Sequence, residues 1–105
     1  MNNENAVYEI AESIFCRQDL QAMFNYPNVD MSLAIEKIFA ASKQFVEFET
    51  EQIRLGATVD EVRFARSIFA KQTPNLYFKF DGSTGIMQRC FDRAKFFISR
   101  CDDLG

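Results

Sequence analysis

Ser67 and Lys71 stand four residues apart, the spacing at which a helix brings a hydroxyl beside an amine able to take its proton. Nothing else in the sequence completes a nucleophilic site around them. Glu47 and Glu51 are also one helical turn apart. As an acid–base pair they would need surroundings that separate their pKa values, and they read instead as a solvated face. Asp81-Gly82-Ser83-Thr84-Gly85 precedes a helical pattern and could aim backbone N–H groups at an anion. It lacks the lysine and the longer spacing of a P-loop, so it reads as a capping turn. The chain contains no histidine. That absence excludes Ser-His and Cys-His catalysis, His-ligated metals, an imidazole pH switch and Glu-x-x-His di-iron sites. No catalytic residue, metal site or cofactor is expected, and the chain reads as non-enzymatic.

Surface recognition is the chemistry that remains. Arg89, Arg93, Phe96 and Arg100 recur at steps of four, three and four, along the side of a helix away from its apolar stripe. Three guanidinium groups flanking an outward ring can serve as a protein-binding hot spot. They can equally grip phosphates while the ring stacks on a base. The acidic counterpart is the Glu47/Glu51 side of an earlier helix, and both surfaces are candidate partner-binding sites.

The charge distribution sharpens that choice. Net charge is −3 over 105 residues. Between Val62 and Cys101, eight basic residues face only Asp81 and Asp92, a net of +6, whereas the rest of the chain carries −9. Such a split marks a nucleic-acid or acidic-partner face. Internal pairing is the competing explanation. If the second and third helices pair antiparallel about Ala57, Glu51 falls opposite Arg63 and Phe48 opposite Arg66. Phe96 does not fit that explanation unless it lies beneath the Leu76–Phe80 segment.

Composition is that of an ordinary globular domain, 48% hydrophobic and 26% charged. With two prolines and four glycines, a turn-rich β-sandwich is not expected. Met1 to Asn5 is polar and acidic, without the basic start of a secretory signal. The longest apolar run, Ile38 to Ala41, falls far short of the ~20 residues of a membrane span. The three cysteines form no C-x-x-C pair. On one helix, Cys90 and Cys101 would lie about 16 Å apart, too far for a disulfide. Cys16 could meet either, but buried reduced thiols and a cytoplasmic location are the expectation.

The elements that must position these residues follow from apolar periodicity. Glu4 to Phe24 reads as a first helix, with its stripe shifting near Gln18-Asp19 at a kink or a break. Tyr26-Pro27 ends it. Met31 to Leu55 is the clearest helix, about 37 Å long. Its seam is Ala34, Ile38, Ala41, Phe45, Phe48, Gln52 and Leu55, with Asp30 as N-cap and Gly56 just past the end. Thr58 and Glu61 form a capping-box signature for a third helix to about Lys71. It joins the second in an antiparallel hairpin or a sharp corner. Leu76 to Phe80 alternates with β propensity and reads as an extended packed loop or, less simply, an edge strand. A last helix runs to about Cys101, with Met87, Cys90, Phe91, Ala94, Phe97, Ile98 and Cys101 on its core face.

The expectation is therefore an all-α domain spanning residues 1–105, about four helices around a phenylalanine-rich core. Its expected role is a non-catalytic protein-interaction module, a small regulator or inhibitor docking on a larger protein or assembly. A homodimer belongs to the same class. Nucleic-acid binding through the basic C-terminal half is the alternative, weakened by the negative total charge and by a linker too long for a helix-turn-helix. An apolar ligand among the phenylalanines is a third option, although a core is the ordinary use of those rings. No membrane partner is expected.

Overall fold

The computed structural model describes residues 3–104 and is helical throughout, with no strand among them. Six helices run in order: α1 (Asn3–Phe15), α2 (Gln18–Phe24), α3 (Met31–Arg54), α4 (Val59–Ala70), α5 (Pro74–Phe78) and α6 (Thr84–Leu104). The all-α expectation holds, with six helices instead of four. No helix among them is long and apolar enough to cross a membrane.

The ends of α3 and the start of α4 are written locally. Asp30 accepts a hydrogen bond from Leu33 N at 3.0 Å, closing the N-terminus of α3. At the other end, Ala57 N–H donates to Gln52 O and Gly56 N–H to Ile53 O, a Schellman pair. Gly56 carries the positive φ of 106° that this closure requires. Thr58 and Glu61 then exchange both capping-box bonds, at 2.8 and 3.2 Å. With only Gly56 and Ala57 between these devices, α4 folds back antiparallel to α3, and Phe45 stacks on Phe69 at 4.5 Å.

Of two expectations about the remaining elements, the break in the first helix is found and the extended segment is corrected. The first helix is broken at Cys16-Arg17, two residues before the shift in its stripe, because Arg17 adopts an extended conformation. Its guanidinium leaves the helix to reach the C-terminal end of α4. Nη1 donates to the carbonyls of Ala70, at 3.0 Å, and Gln72, and to the Tyr77 hydroxyl at 3.2 Å. Orphan carbonyls at a helix end need such donors.

The Leu76–Phe80 stretch is not extended; most of it forms the short helix α5. Pro74 at its first position presets φ, and Thr73 enters in the extended conformation that precedes a helix. The aromatic alternation that suggests a strand is overridden by one burial. Tyr77 is fully buried, and its hydroxyl donates to Phe69 O at 2.6 Å while accepting from Gln72 N at 3.2 Å.

The core lies where α1, α3, α4 and α6 meet. Ile10, Ala11 and Ile14 face Ile38, Ala41 and Phe45, with Val62, Ala65 and Phe69 from α4 and Met87, Phe91 and Ala94 from α6. Phe45 stacks on both Phe69 and Phe91, and Tyr77 meets Phe69 edge-on at 5.7 Å. The rings thus pack chiefly on one another. The apolar face of α6 leaves the core after Ala94. Phe97 and Cys101, both expected inside, are exposed.

Candidate protein-interaction surface

The basic stripe sits where α6 runs antiparallel beside α4. Between them lies a groove of about 480 Å³, with Ile68, Gln72 and Leu76 on one wall and Ile86, Arg89 and Arg93 on the other. Cys90 lies at its floor, its thiol pushed up to about 11 chiefly by burial. One turn farther along each wall stand Phe64 and Phe97, 45% and 50% exposed. Phe96, 56% exposed, meets Phe97 edge-on at 5.9 Å. The Arg100 guanidinium lies 5.4 Å from the centre of the Phe96 ring, within cation–π range. Phe96 is therefore not beneath α5; it stands with its neighbours on the outer face of α6.

All four basic-stripe residues expected at the surface are exposed there. Arg89, Arg93 and Arg100 have no ion-pair partner among the described residues. Phe64 and Phe97 belong to the same face, although periodicity assigned Phe97 to the core. The readable signal is length. A last helix reaching Cys101 is longer than the third helix beside it, so its final turns cannot all be covered.

The acidic pair is placed elsewhere. Glu47 lines a concavity with Tyr8, Phe39 and Lys43, and another with Gly82 and Thr84 at the start of α6. Glu51 is exposed and held by Arg54 on its own helix, with Nε to Oε2 at 3.0 Å. Hydrogen bonding to Arg54 lowers the Glu51 pKa, the opposite of what a general acid needs. Neither glutamate lines the α4–α6 groove.

Internal pairing is real, but it uses other residues than Glu51 and Arg63. Glu49, 3% exposed, takes both Nε and Nη2 of Arg66 at 2.5 and 2.7 Å. Glu9 of α1 accepts from Arg66 Nη1 at 3.1 Å. This bidentate bond raises the Arg66 pKa above its already high ordinary value. Phe45 and Phe69 keep the antiparallel register about Ala57, and Glu49 faces inward because it lies on the buried side of α3 with Phe45, Val46 and Gln52.

Ser67 and Lys71 line a different cleft, between α1 and α4. The thiols also divide: Cys90 is buried, while Cys16 and Cys101 are exposed, and all three are free. Compared with known proteins, the chain matches no family model, no curated protein and no solved structure.

Proposed function

We propose that this chain is a non-catalytic protein-interaction module, a small regulator or inhibitor that docks on a larger protein through its α4–α6 face. One observation carries the reading. Phe96 and Phe97 lie edge to face and half exposed, with Arg100 against Phe96 and the arginine-lined groove leading up to them. Aromatic and arginine side chains dominate binding hot spots because they bury large area and form directed bonds. Covering the exposed halves of both rings contributes about 2 kcal/mol. The fitting partner presents an apolar anchor flanked by carboxylates, to meet Arg89, Arg93 and Arg100. A reducing cytoplasm suits three unbridged thiols, two of them exposed.

The test is capture from cell extract by the full chain carrying a photo-crosslinker at Gln72, on the groove wall opposite Arg89 and Arg93. The expected result is a single acidic partner. Its capture is lost in the Arg93→Ala/Phe96→Ala double variant and kept in Glu47→Ala/Glu51→Ala, with helicity unchanged in both. Capture retained by the first double variant moves the site off α6.

Nucleic acid is the second reading, favoured by three arginines without ion-pair partners around an exposed ring. Fluorescence anisotropy with labelled single- and double-stranded DNA and RNA separates the two. Binding that falls steeply with salt and drops on Arg89/Arg93 substitution supports it. No binding at low salt removes it.

A further inference from the structure

The cleft between α1 and α4 is independent of the α6 face and has a different chemistry. It holds about 420 Å³, within the range of small-molecule sites. Ser13 and Arg17 come from the α1 side, and Arg63, Arg66, Ser67 and Lys71 from α4. Its four cations fall into two classes. Arg17 is held by Asp19 and by the carbonyls at the end of α4, and Arg66 is held between Glu49 and Glu9. These two are fixed parts of the walls. Arg63 and Lys71 have no ion-pair partner among the described residues. Counting Glu9, Asp19 and Glu49 against the four cations leaves one positive charge net. The uncompensated charge is concentrated on the Arg63–Lys71 wall.

Arg63 and Ser67 lie one turn apart on α4, and Lys71 caps its C-terminal end, all three lining the cleft. Arg63 and Lys71 are therefore about 12 Å apart along the helix, with the Ser67 hydroxyl midway. Long side chains from both ends can converge over that hydroxyl, presenting a guanidinium fork, an ammonium and an O–H to one group. Arg63 and Lys71 each lack an ion-pair partner among the described residues, so a ligand that meets both must offer several acceptor oxygens and enough charge to share between them. A phosphomonoester carries about −1.5 to −2 at neutral pH, whereas a carboxylate supplies half of that. Ile10 and Ala70 add an apolar lining that an inorganic ion alone would leave unused.

We propose that the α1–α4 cleft binds a small molecule bearing a phosphomonoester, with its phosphoryl group seated at Ser67 between Arg63 and Lys71. The anion accepts from both cations and from the serine hydroxyl, and the remainder of the molecule lies against Ile10 and Ala70.

The test is calorimetric titration of the full chain, at low salt, with adenosine monophosphate, inorganic phosphate, adenosine and acetate. Adenosine monophosphate is expected to bind one to one, more tightly than inorganic phosphate, and adenosine and acetate not at all. The Arg63→Ala/Lys71→Ala variant should lose about a hundredfold or more in affinity, the share of two charge-assisted contacts. Arg89→Ala/Arg93→Ala on α6 should bind as the wild type does. Amide NMR shifts in the wild type should map to α1 and α4, so the location is read without any variant. The proposal is overturned by no saturable binding of adenosine monophosphate, by acetate or phosphate binding as tightly, by unchanged affinity in the Arg63/Lys71 variant, or by shifts confined to α6.

Discussion

Arg17 and Tyr77 are sixty residues apart in sequence, yet the guanidinium donates to the phenol oxygen at 3.2 Å, and both close the C-terminal end of α4. Arg17→Ala removes donors from Ala70 O, Gln72 O and Tyr77 together. The expected loss is about 2–3 kcal/mol, the range for hydrogen bonds to charged groups. Chemical denaturation would measure it, and a loss below a few tenths would show that water replaces the arginine.

The same pair governs behaviour in alkali. Burial is the largest influence on Tyr77 and pushes its phenol up to about 12, against the lesser pull of Arg17. The unfolded chain ionises this group near 10 and so binds fewer protons than the native state between those values. Tyr77 therefore contributes stability that is intact below about pH 10 and lost as pH rises toward 12. Tyr77→Phe is expected to be less stable at pH 8 and to fall less steeply from pH 10 to 12. Parallel wild-type and variant curves would contradict that linkage.

Glu49 and Arg66 should show the asymmetry of a buried ion pair. Arg66→Ala strands the Glu49 carboxylate in the interior, with an expected loss of about 3 kcal/mol. Glu9→Ala removes an exposed partner and should change stability by no more than about 0.5 kcal/mol. Replacing Glu49 with Leu and Arg66 with Met together should recover most of the Arg66→Ala loss. Equal effects of Arg66→Ala and Glu9→Ala in thermal melts would mean that Glu49 is solvated.

The thiols provide a test of where α6 leaves the core. At neutral pH, Cys16 and Cys101 should react promptly with a maleimide. Cys90, buried and with its thiol pushed up to about 11, should react only as the protein opens. Mass spectrometry over time should show two fast additions and a third that accelerates with denaturant. Three fast additions would place Cys90 at the surface.

Gly82 and Gly56 separate backbone freedom from close approach. Both have positive φ, at 86° and 106°. A Cβ at Gly56 meets nothing within 4 Å, whereas one at Gly82 lies 2.7 Å from Gln44 Oε1. Gly56→Ala should cost about 1 kcal/mol through backbone strain alone. Gly82→Ala should cost more, because the Gln44 side chain must also move. Equal losses on denaturant titration would show that Gln44 yields freely.

Much of this architecture is legible in sequence because its causes are local. Asp30, Gly56 and the Thr58–Glu61 pair act within a few residues, so caps and reversal could be read from residue type and spacing. The seam from Ala34 to Gln52 could be read because one side of α3 is buried along nearly its whole length, whereas Leu55, expected to continue it, lies past the helix end and is exposed. The exposed Arg89, Arg93, Phe96 and Arg100 were likewise visible as the side opposite the core. Periodicity, however, reports which residues share a face and not whether another helix covers it. Phe97 and Cys101 continue the core stripe of α6 but emerge because the packing ends at Ala94. Tertiary partners also paired Glu49 with Arg66 in place of Glu51 with Arg63, drew Arg17 out of the first helix and turned Leu76–Phe78 helical around buried Tyr77. The cleft joining Arg17 to Arg63 and Lys71 exists only once α1 lies along α4, since no local spacing relates residues so far apart.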